Sequence, residues 1–414
     1  MALSPQELRA ERTKRIRDAY ELKQPDRVPI ILNLGYMLAR LGGISHAELE
    51  RNPDRTQELI EEYAQYYQPD KISGGAIPGK ANRILGDRMT KWPGYELPED
   101  QPFQFKEGIY MTEDEYDEFI DDPGDFAIRT FLPRAFSKLE GLSMLPPLAT
   151  AVMGHGAIPS MGVLNAPPVK TALEALITAA ESMLEAGDRS LINAKRMEDL
   201  GFPSEPDFDG IAAAPFDFIG DTLRAMRGSM MDMYRHPDKL LAAMEKARKI
   251  TLKACIQIKE LTGGRVILMP LHRGSDGFMS ISQFETFYWP QLKRLLLDMI
   301  DADLIPAPFY EGIWDNRLHY LAELPKGKTR GSFEKTDMFK AKEIIGDTMC
   351  LSGGFPVSLL QTGTPEKVRE YTKKMCEVVG KGGGYIMSAG SVMDYCDREL
   401  VKVWVEATKE FGEY

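Results

Sequence analysis

Short apolar segments alternate with helical segments through the second half of the chain, and this alternation restricts the fold more than any other feature. Including the first half, eight apolar runs of strand type are expected, near residues 30, 72, 211, 267, 306, 330, 350 and 386. Thr364 followed by Pro365 and Glu366 is a specific start signal for one of the intervening helices. Alternation at this period is typical of βα units in a parallel sheet, and eight units favour a closed barrel.

One stretch, at about 86–147, departs from this pattern. It carries Trp92, Pro93, Pro98 and Pro102, and short acidic helices follow. We interpret it as an insertion over the C-terminal mouth of the barrel. The sequence therefore predicts an α/β fold, a distorted (β/α)8 TIM-type barrel that forms a single domain over residues 1–414 with this insertion. No GxGxxG motif opens a helix after a predicted strand, so an open nucleotide-binding sheet has little support.

Composition narrows the classes of partner and compartment. The 414 residues are 43% hydrophobic and 27% charged, with a formal net charge of −11. This balance, without a basic run, argues against nucleic acid and against an anionic membrane surface. No apolar stretch approaches a membrane span, and the four cysteines show no CxxC spacing. We expect a cytoplasmic protein.

The loops after the barrel strands should carry the chemistry, because TIM-barrel sites lie at the C-terminal ends of the strands. His272 ends the run RVILMPLH, and Glu311 ends LIPAPFYEG on the next strand. An imidazole and a carboxylate on neighbouring strands are close enough to bind one zinc ion. The candidates for a further ligand are Glu334, Asp337, Asp276 and Cys396.

A structural interpretation of the same pair remains open. In that interpretation His272 hydrogen-bonds to a backbone carbonyl group and Glu311 pairs with Arg273 or Arg317. Asp217 and Asp221 lie on the first turns of one helix, where capping accounts for at least one of them. Asp217 is the candidate for a catalytic role.

Several other residues are expected near the mouth. The predicted substrate-binding residues are Asn33, Tyr36, Phe216, Phe309, Tyr310, Trp314 and Phe355. The aromatic rings among them would give an apolar wall for a small substrate, although rings of this kind also fill cores. His155, in VMGHGA, is a candidate to line the insertion, but a structural role is expected for it.

Four segments, in this order and spacing, carry a family resemblance that covers nearly the whole chain. They are KQPDRVPI, APFDFIGDTLRAMRGSMMDMYRHPDKLLAAMEK, DGFMSISQFETFYWPQLKRLLLDMI, and QTGTPEKVREYTKKM followed by GGGYIMSAG. Together they resemble the uroporphyrinogen decarboxylase superfamily. The resemblance implies a distorted (β/α)8 barrel, and a function among tetrapyrrole decarboxylases and methyltransferases that work with corrinoid proteins or coenzyme M.

The decarboxylases of this superfamily have an arginine-rich loop after the first strand, an Asp after the second and a His after the last. In this chain the loop after the first strand offers only Arg40, and the loop after the second strand, SGGAIPG, contains no Asp. Ser388 to Ser391 follow the last strand, where the decarboxylases have a His. The chain therefore resembles the corrinoid-dependent methyltransferases more closely.

The methyltransferases usually bind zinc through a His and a Cys after the fifth strand and a Cys after the last. Glu311 falls where the first Cys would lie, and the last strand offers no Cys before Cys396. This departure disfavours a coenzyme M enzyme, whose zinc activates a thiol. An oxygen-rich site suits zinc-assisted removal of a methyl group from the oxygen of a small, possibly methoxylated aromatic, compound.

The predicted function is thus an O-demethylase type of methyltransferase that passes the methyl group to a corrinoid carried by a partner protein. A homodimer is also expected, since barrels of this family commonly pair. One alternative is a decarboxylase or lyase with Arg273, Arg317 or Arg40 as a carboxylate anchor. The other is a corrinoid- or tetrapyrrole-binding protein without catalytic activity.

Overall fold

The computed structural model describes residues 3–75, 78–150 and 161–414, so His155 lies outside the described residues. The chain divides into two compact units. The first comprises Met1–Ala76, Asn193–Phe216 and Arg248–Tyr414, and the second comprises Ile77–Ile192 and Asp217–Ala247. A single domain with an insertion at about 86–147 stays a prediction.

Ten strands are present in the described residues. They are Ile31–Asn33 (β1), Lys71–Ser73 (β2), Thr90–Lys91 (β3), Gln104–Phe105 (β4), Gly210–Ile211 (β5), Val266–Leu271 (β6), Ile305–Tyr310 (β7), Arg330–Phe333 (β8), Cys350–Gly353 (β9) and Tyr385–Ile386 (β10). All except β3 and β4 lie in the first unit, and these eight coincide with the eight predicted runs.

The first unit is a distorted (β/α)8 barrel, as predicted. Strands β5 to β10 form a parallel sheet in sequence order, and β1 pairs in parallel with β2. Backbone hydrogen bonds join β1 to β10, because the Ile31 N–H donates to the Met387 carbonyl at 3.0 Å and the Met387 N–H donates to that of Pro29 at 2.8 Å. On the remaining side, Lys71 of β2 pairs with Asp207, just before β5, at 2.6 Å.

Burial alternates along the two longest barrel strands. In β6, Ile267, Met269 and Leu271 are fully buried, whereas the residues between them are half-buried. Strand β7 alternates in the same way. Successive side chains of a strand point to opposite faces, so one face of each strand packs in the core. Helix Trp289–Asp301 contacts β7 and covers part of this sheet.

Helical segments surround the strands of the first unit. They are Pro5–Tyr20, Met37–Gly42, His46–Arg51, Pro53–Tyr67, Ile281–Gln283, the π-helix Phe284–Tyr288, Trp289–Asp301, Leu318–Leu321, Met338–Ile345, Val357–Thr362, Pro365–Lys374, the π-helix Met375–Val379 and Arg398–Phe411. Helices Pro167–Asp199, Pro215–Asp217 and Pro237–Thr262 contain residues of both units.

The second unit is mainly helical. Its segments are Lys80–Leu85, the 3-10 helices Glu113–Glu115, Ser137–Met144 and Met161–Asn165, the α-helices Tyr116–Asp121, Pro123–Phe126, Leu132–Ala135 and Ala225–Arg235, and the π-helices Ala127–Phe131 and Phe218–Leu223. Strands β3 and β4 form an antiparallel pair. A cluster around Leu139, Leu142 and Val169 forms an apolar core. Within the described part of the chain, no helix combines the length and apolar character that a membrane span requires.

A buried ion-pair network ties helix Pro5–Tyr20 to the first two barrel strands. The carboxylate of Asp70 is fully buried and accepts from Arg15 at 2.5 Å and from Arg27 at 2.8 and 2.9 Å. The backbone N–H of Ile30 donates to the same carboxylate at 2.8 Å. The network thus holds residues just before β1 and β2 to the helix.

Replacement of Asp70 by Asn should strongly destabilise the protein. The half-buried Arg27 then loses its anionic partner, and the buried Arg15 keeps only the exposed Asp26. Breaking a buried pair in this way costs about 3–5 kcal/mol. Urea unfolding of Asp70→Asn measures the loss. The exposed pair Arg55–Glu58, at 3.0 Å, is the control, because Glu58→Gln should change the free energy of unfolding by roughly 0.5 kcal/mol or less. Equal effects of the two substitutions would contradict this account.

Candidate functional site

The predicted pair His272 and Glu311 meets at the ends of two neighbouring strands. In the parallel register of β6 and β7, Leu271 is paired with Tyr310, so the next residues, 272 and 311, emerge side by side. The His272 Nε2 atom lies 3.3 Å from the Glu311 Oε1 atom. Their side chains are 42% and 36% exposed. The pair is therefore accessible to a ligand.

A second carboxylate shapes the loop that carries Glu311. Glu334 follows β8, and its Oε2 atom accepts from the backbone N–H of Gly312 at 2.7 Å. Lys335 lies 3.2 Å from the other oxygen. Gly312 has a φ of +76°, and an added Cβ atom would lie 2.9 Å from the Cβ atom of Ser275. This close left-handed turn requires glycine, and Glu334 holds it in place.

The other predicted metal ligands have structural partners. Asp276 accepts from Arg317 at 2.8 Å, and Asp337 caps helix Met338–Ile345 by accepting from two backbone N–H groups. Burial raises the pKa of the Cys396 thiol to about 12. Metals bind the thiolate form, which this environment disfavours.

One group of three possible ligands lies elsewhere in the described residues. Atoms of Glu113, Asp232 and His236, in the second unit, lie within 4.8 Å of one another. Asp232 is already bound by Arg224 at 2.6 Å and accepts from the Tyr116 hydroxyl at 2.7 Å. Because this carboxylate is neutralised by a buried arginine, the cluster is a poor cation site. In the described residues, His272 and Glu311 do not have a third ligand within the same distance of both.

The geometry of the pair fits two positions of a zinc site. Bonds of about 2.0–2.1 Å in a tetrahedron place neighbouring ligand atoms about 3.3 Å apart. The Nε2 and Oε1 atoms are separated by this distance. An imidazole nitrogen and a carboxylate oxygen are both ordinary zinc ligands. The donor set supplies two ligands and leaves the remaining positions open.

The interpretation in which Glu311 pairs with Arg317 is not what the structure shows. Arg317 is 1% exposed and donates to Asp276 and to the backbone carbonyl groups of Gly274 and Met279. It braces the loop between β6 and the following helix. Arg273, also buried, lies over the ring of Phe278 at 5.4 Å.

Most of the predicted aromatic wall lies in the core. The fully or almost fully buried members are Tyr36, Phe216, Tyr310, Trp314 and Phe355. Tyr310 stacks on Phe333 at 4.7 Å and meets Trp314 edge-on at 4.8 Å. Alternation along β7 explains this, because Tyr310 points to the packed face of the strand. Phe309 is half-buried and shares the face of Glu311. Substrate contact by the buried rings stays a prediction.

The loop after β1 contacts a residue that the sequence did not indicate, Asp394 in the loop after β10. Asn33 is exposed, and its side chain accepts from the Gly35 N–H at 3.2 Å. The Tyr36 ring packs on His46 at 4.5 Å, and the Tyr36 N–H donates to Asp394 at 3.0 Å. Burial raises the pKa of Asp394. Its only sequence signal is its position in the loop after the last strand.

Asp217 is the third residue predicted to be catalytic. It lies in the second unit, at the end of the short helix Pro215–Asp217, and its side chain is buried. Its catalytic role stays a prediction.

Comparisons with known proteins agree with the barrel. The family model described as Uroporphyrinogen decarboxylase (URO-D) matches residues 204–411, which is half of the chain. The structure is similar to a methyltransferase from Methanosarcina mazei, with a TM-score of 0.59 and 17% sequence identity. The similarity covers 97% of this chain and 98% of that chain. At this identity it supports the fold alone. No curated protein matches the sequence.

Trp314 should contribute mainly to the stability of the fold. Its ring is fully buried between Tyr310, Phe284 and Tyr288, so Trp314→Ala removes core packing and should cost about 3–5 kcal/mol. Denaturant unfolding gives the value. The adjacent, exposed Ile313 is the control, and Ile313→Ala should cost roughly 0.5 kcal/mol. A stable Trp314→Ala protein would show that the ring is not part of the core.

Proposed function

The chain belongs to the uroporphyrinogen decarboxylase family, and from this premise we propose that it is a methyltransferase of the O-demethylase type. It would move a methyl group from a small methylated compound, such as a methoxylated aromatic, to a corrinoid on a partner protein. The observation that carries the proposal is the exposed pair of His272 and Glu311, 3.3 Å apart at the strand ends.

His272 and Glu311 would hold zinc in this proposal. Bound zinc would act as a Lewis acid toward the ether oxygen of the substrate and stabilise the charge that forms there. His272 must be neutral and Glu311 ionised to bind the metal, so binding competes with protons and weakens at low pH. Glu334 contributes by holding the Gly312 turn, which orients Glu311.

The methyl transfer is a displacement at carbon. The bond between the methyl carbon and the ether oxygen breaks, and its electron pair stays on the oxygen. The methyl group passes to the reduced corrinoid, which supplies the electron pair of the new bond. Phe309, on the face of Glu311, gives an apolar contact for an aromatic substrate beside the polar pair.

The alternative of a decarboxylase or lyase needs a basic group for the substrate carboxylate. Arg317 is committed to Asp276 and backbone carbonyl groups, and Arg273 is buried. Arg40, the remaining predicted anchor, is exposed but lies 5.8 Å from the ring of Tyr395 and donates to the carbonyl of Asp394. The surroundings of these three arginines therefore support a decarboxylase or lyase less than they support a methyltransferase.

Zinc binding should depend on both members of the pair. We expect the chelator-treated protein to take up about one zinc ion per chain, and His272→Ala and Glu311→Gln to weaken binding by at least roughly tenfold, because each removes a ligand. Calorimetric titration and elemental analysis measure this. Glu113→Gln, in the second unit, is the control and should bind zinc as the wild type does. Loss of zinc in the control but not in the His272 variant would place the metal elsewhere.

Methyl transfer should require the same pair. The zinc-loaded protein, mixed with a methoxylated aromatic and free cobalamin reduced to the cobalt(I) form, should give methylated cobalamin, seen by absorbance, and the corresponding phenol. His272→Ala should be slower by about a hundredfold to a thousandfold, the effect of losing stabilisation of the leaving oxygen. The Glu113→Gln control should keep the wild-type rate.

Release of CO2 from carboxylated aromatics, without methyl transfer, would instead support the decarboxylase. Binding of cobalamin with neither reaction would support a corrinoid-binding protein.

A further inference from the structure

The turn that follows β1 packs directly against a carboxyl group from the loop after β10. Gly35 has a φ of +49°, and an added Cβ atom would lie 2.9 Å from the Oδ1 atom of Asp394. The backbone N–H of Tyr36 donates to the same oxygen at 3.0 Å. Glycine supplies both the left-handed backbone and the space for this close approach. Asp394 therefore holds the turn at Gly35 and Tyr36 in one position.

Stability does not explain a carboxyl group at this position. Asp394 is 9% exposed, and in the described part of the chain its carboxyl group accepts one hydrogen bond, from Tyr36. Arg40 donates to the backbone carbonyl group of Asp394, at 3.4 Å. Burial raises the pKa of Asp394, because it disfavours the ionised form. Ionised Asp394 thus lowers the stability of the fold at any pH above this raised pKa, so a role other than stability is needed to account for it.

The same turn fixes the orientation of the Asn33 side chain. The Oδ1 atom of Asn33 accepts from the backbone N–H of Gly35 at 3.2 Å. A backbone N–H can only donate, so the amide oxygen must face the turn and the amide nitrogen must face away from it. Asn33 is exposed, and within the described residues its amide nitrogen donates no hydrogen bond. The end of β1 therefore presents N–H donors to a ligand.

Asn33 lies across the barrel mouth from the predicted metal pair. Around the barrel, β7 is four strands from β1 in either direction. Opposite strands of an eight-stranded barrel with this spacing and tilt are about 15 Å apart. Asn33 and Glu311 both stand at the C-terminal ends of their strands, and their side chains shorten the gap from both sides. The remaining space fits one aromatic ring.

We propose that Asn33 donates a hydrogen bond to an oxygen atom at the end of the substrate remote from its methoxy group. Asp394 is the positioning residue that holds Asn33 for this contact, through the turn at Gly35 and Tyr36. The inference rests on the proposed function. It narrows the substrate class to single aromatic rings with a methoxy group at one end and a hydroxyl or carboxylate oxygen at the opposite end.

Two compounds that differ by one oxygen atom test the contact. The compound para-methoxyphenol carries an oxygen opposite its methoxy group, and methoxybenzene does not. The zinc-loaded wild type should bind para-methoxyphenol with a dissociation constant roughly threefold to tenfold lower, the effect of one hydrogen bond. Calorimetric titration measures both constants. The KM values for methyl transfer to cobalt(I) cobalamin should show the same preference.

Removal of the amide should abolish this preference. Asn33→Leu has a side chain of similar size at an exposed position, so the variant should fold and bind the two compounds about equally. Asp347→Leu is the control. It replaces an exposed side chain just before β9, at the other end of the barrel strands, and should keep the wild-type preference.

Two variants of Asp394 separate positioning from a structural role. Asp394→Asn keeps an oxygen that accepts from the Tyr36 N–H, so it should keep the preference and resist urea at least as well as the wild type. Asp394→Leu removes the acceptor, so it should lose the preference through a higher KM for para-methoxyphenol rather than a lower kcat. Amide hydrogen exchange at Tyr36 should be faster in this variant by at least roughly tenfold. A purely structural role predicts lower stability in both variants and an unchanged preference.

The results separate this inference from the proposed function. Equal binding of the two compounds by the wild type, an Asn33→Leu protein that keeps the preference, or unchanged exchange at Tyr36 in Asp394→Leu would overturn the inference while methyl transfer persists. Absence of methyl transfer from both compounds would overturn the proposed function, and the inference with it.

Discussion

Parallel pairing of β6 with β7 is the constraint on which the candidate site depends. Six residue pairs run in register from Val266 opposite Ile305 to Leu271 opposite Tyr310. A slip of one residue would turn every side chain of one strand to the other face. It would separate His272 from Glu311 and move Tyr310 out of the core. The packed aromatic rings therefore fix the register that brings His272 and Glu311 together.

The structure also separates residues that support the site from residues whose side chains are accessible at it. Arg317 and Glu334 are polar and lie near the pair, yet both are committed to backbone groups of the loops that follow β6 and β7. Asp276 completes the contacts of Arg317. Arg317 thus supports the loop after β6, which begins with His272, and Glu334 supports the loop after β7, which begins with Glu311. The side chains of His272 and Glu311 are 42% and 36% exposed. Such an arrangement suits a ligand or metal site, because preorganised groups need little rearrangement on binding.

The barrel strands could be predicted from the sequence because each is a short apolar run between helical stretches. The helix start at Thr364 was also predictable, since its hydroxyl caps the backbone N–H of Lys367. The roles of individual residues at the barrel mouth were harder to predict from the sequence. Phe309 and Tyr310 are adjacent and aromatic, and only the register shows which faces the core. Asp394 depends on a contact with Tyr36, a residue more than 300 positions away, which no local pattern reveals.

Anomalous diffraction at the zinc absorption edge, from crystals soaked with zinc and a methoxylated aromatic, tests the central claim most directly. We expect one strong peak about 2 Å from both the His272 Nε2 atom and a Glu311 carboxylate oxygen, with the substrate oxygen in an open position. A peak beside Glu113 and His236, or a zinc-free pair with substrate bound elsewhere, would contradict the account.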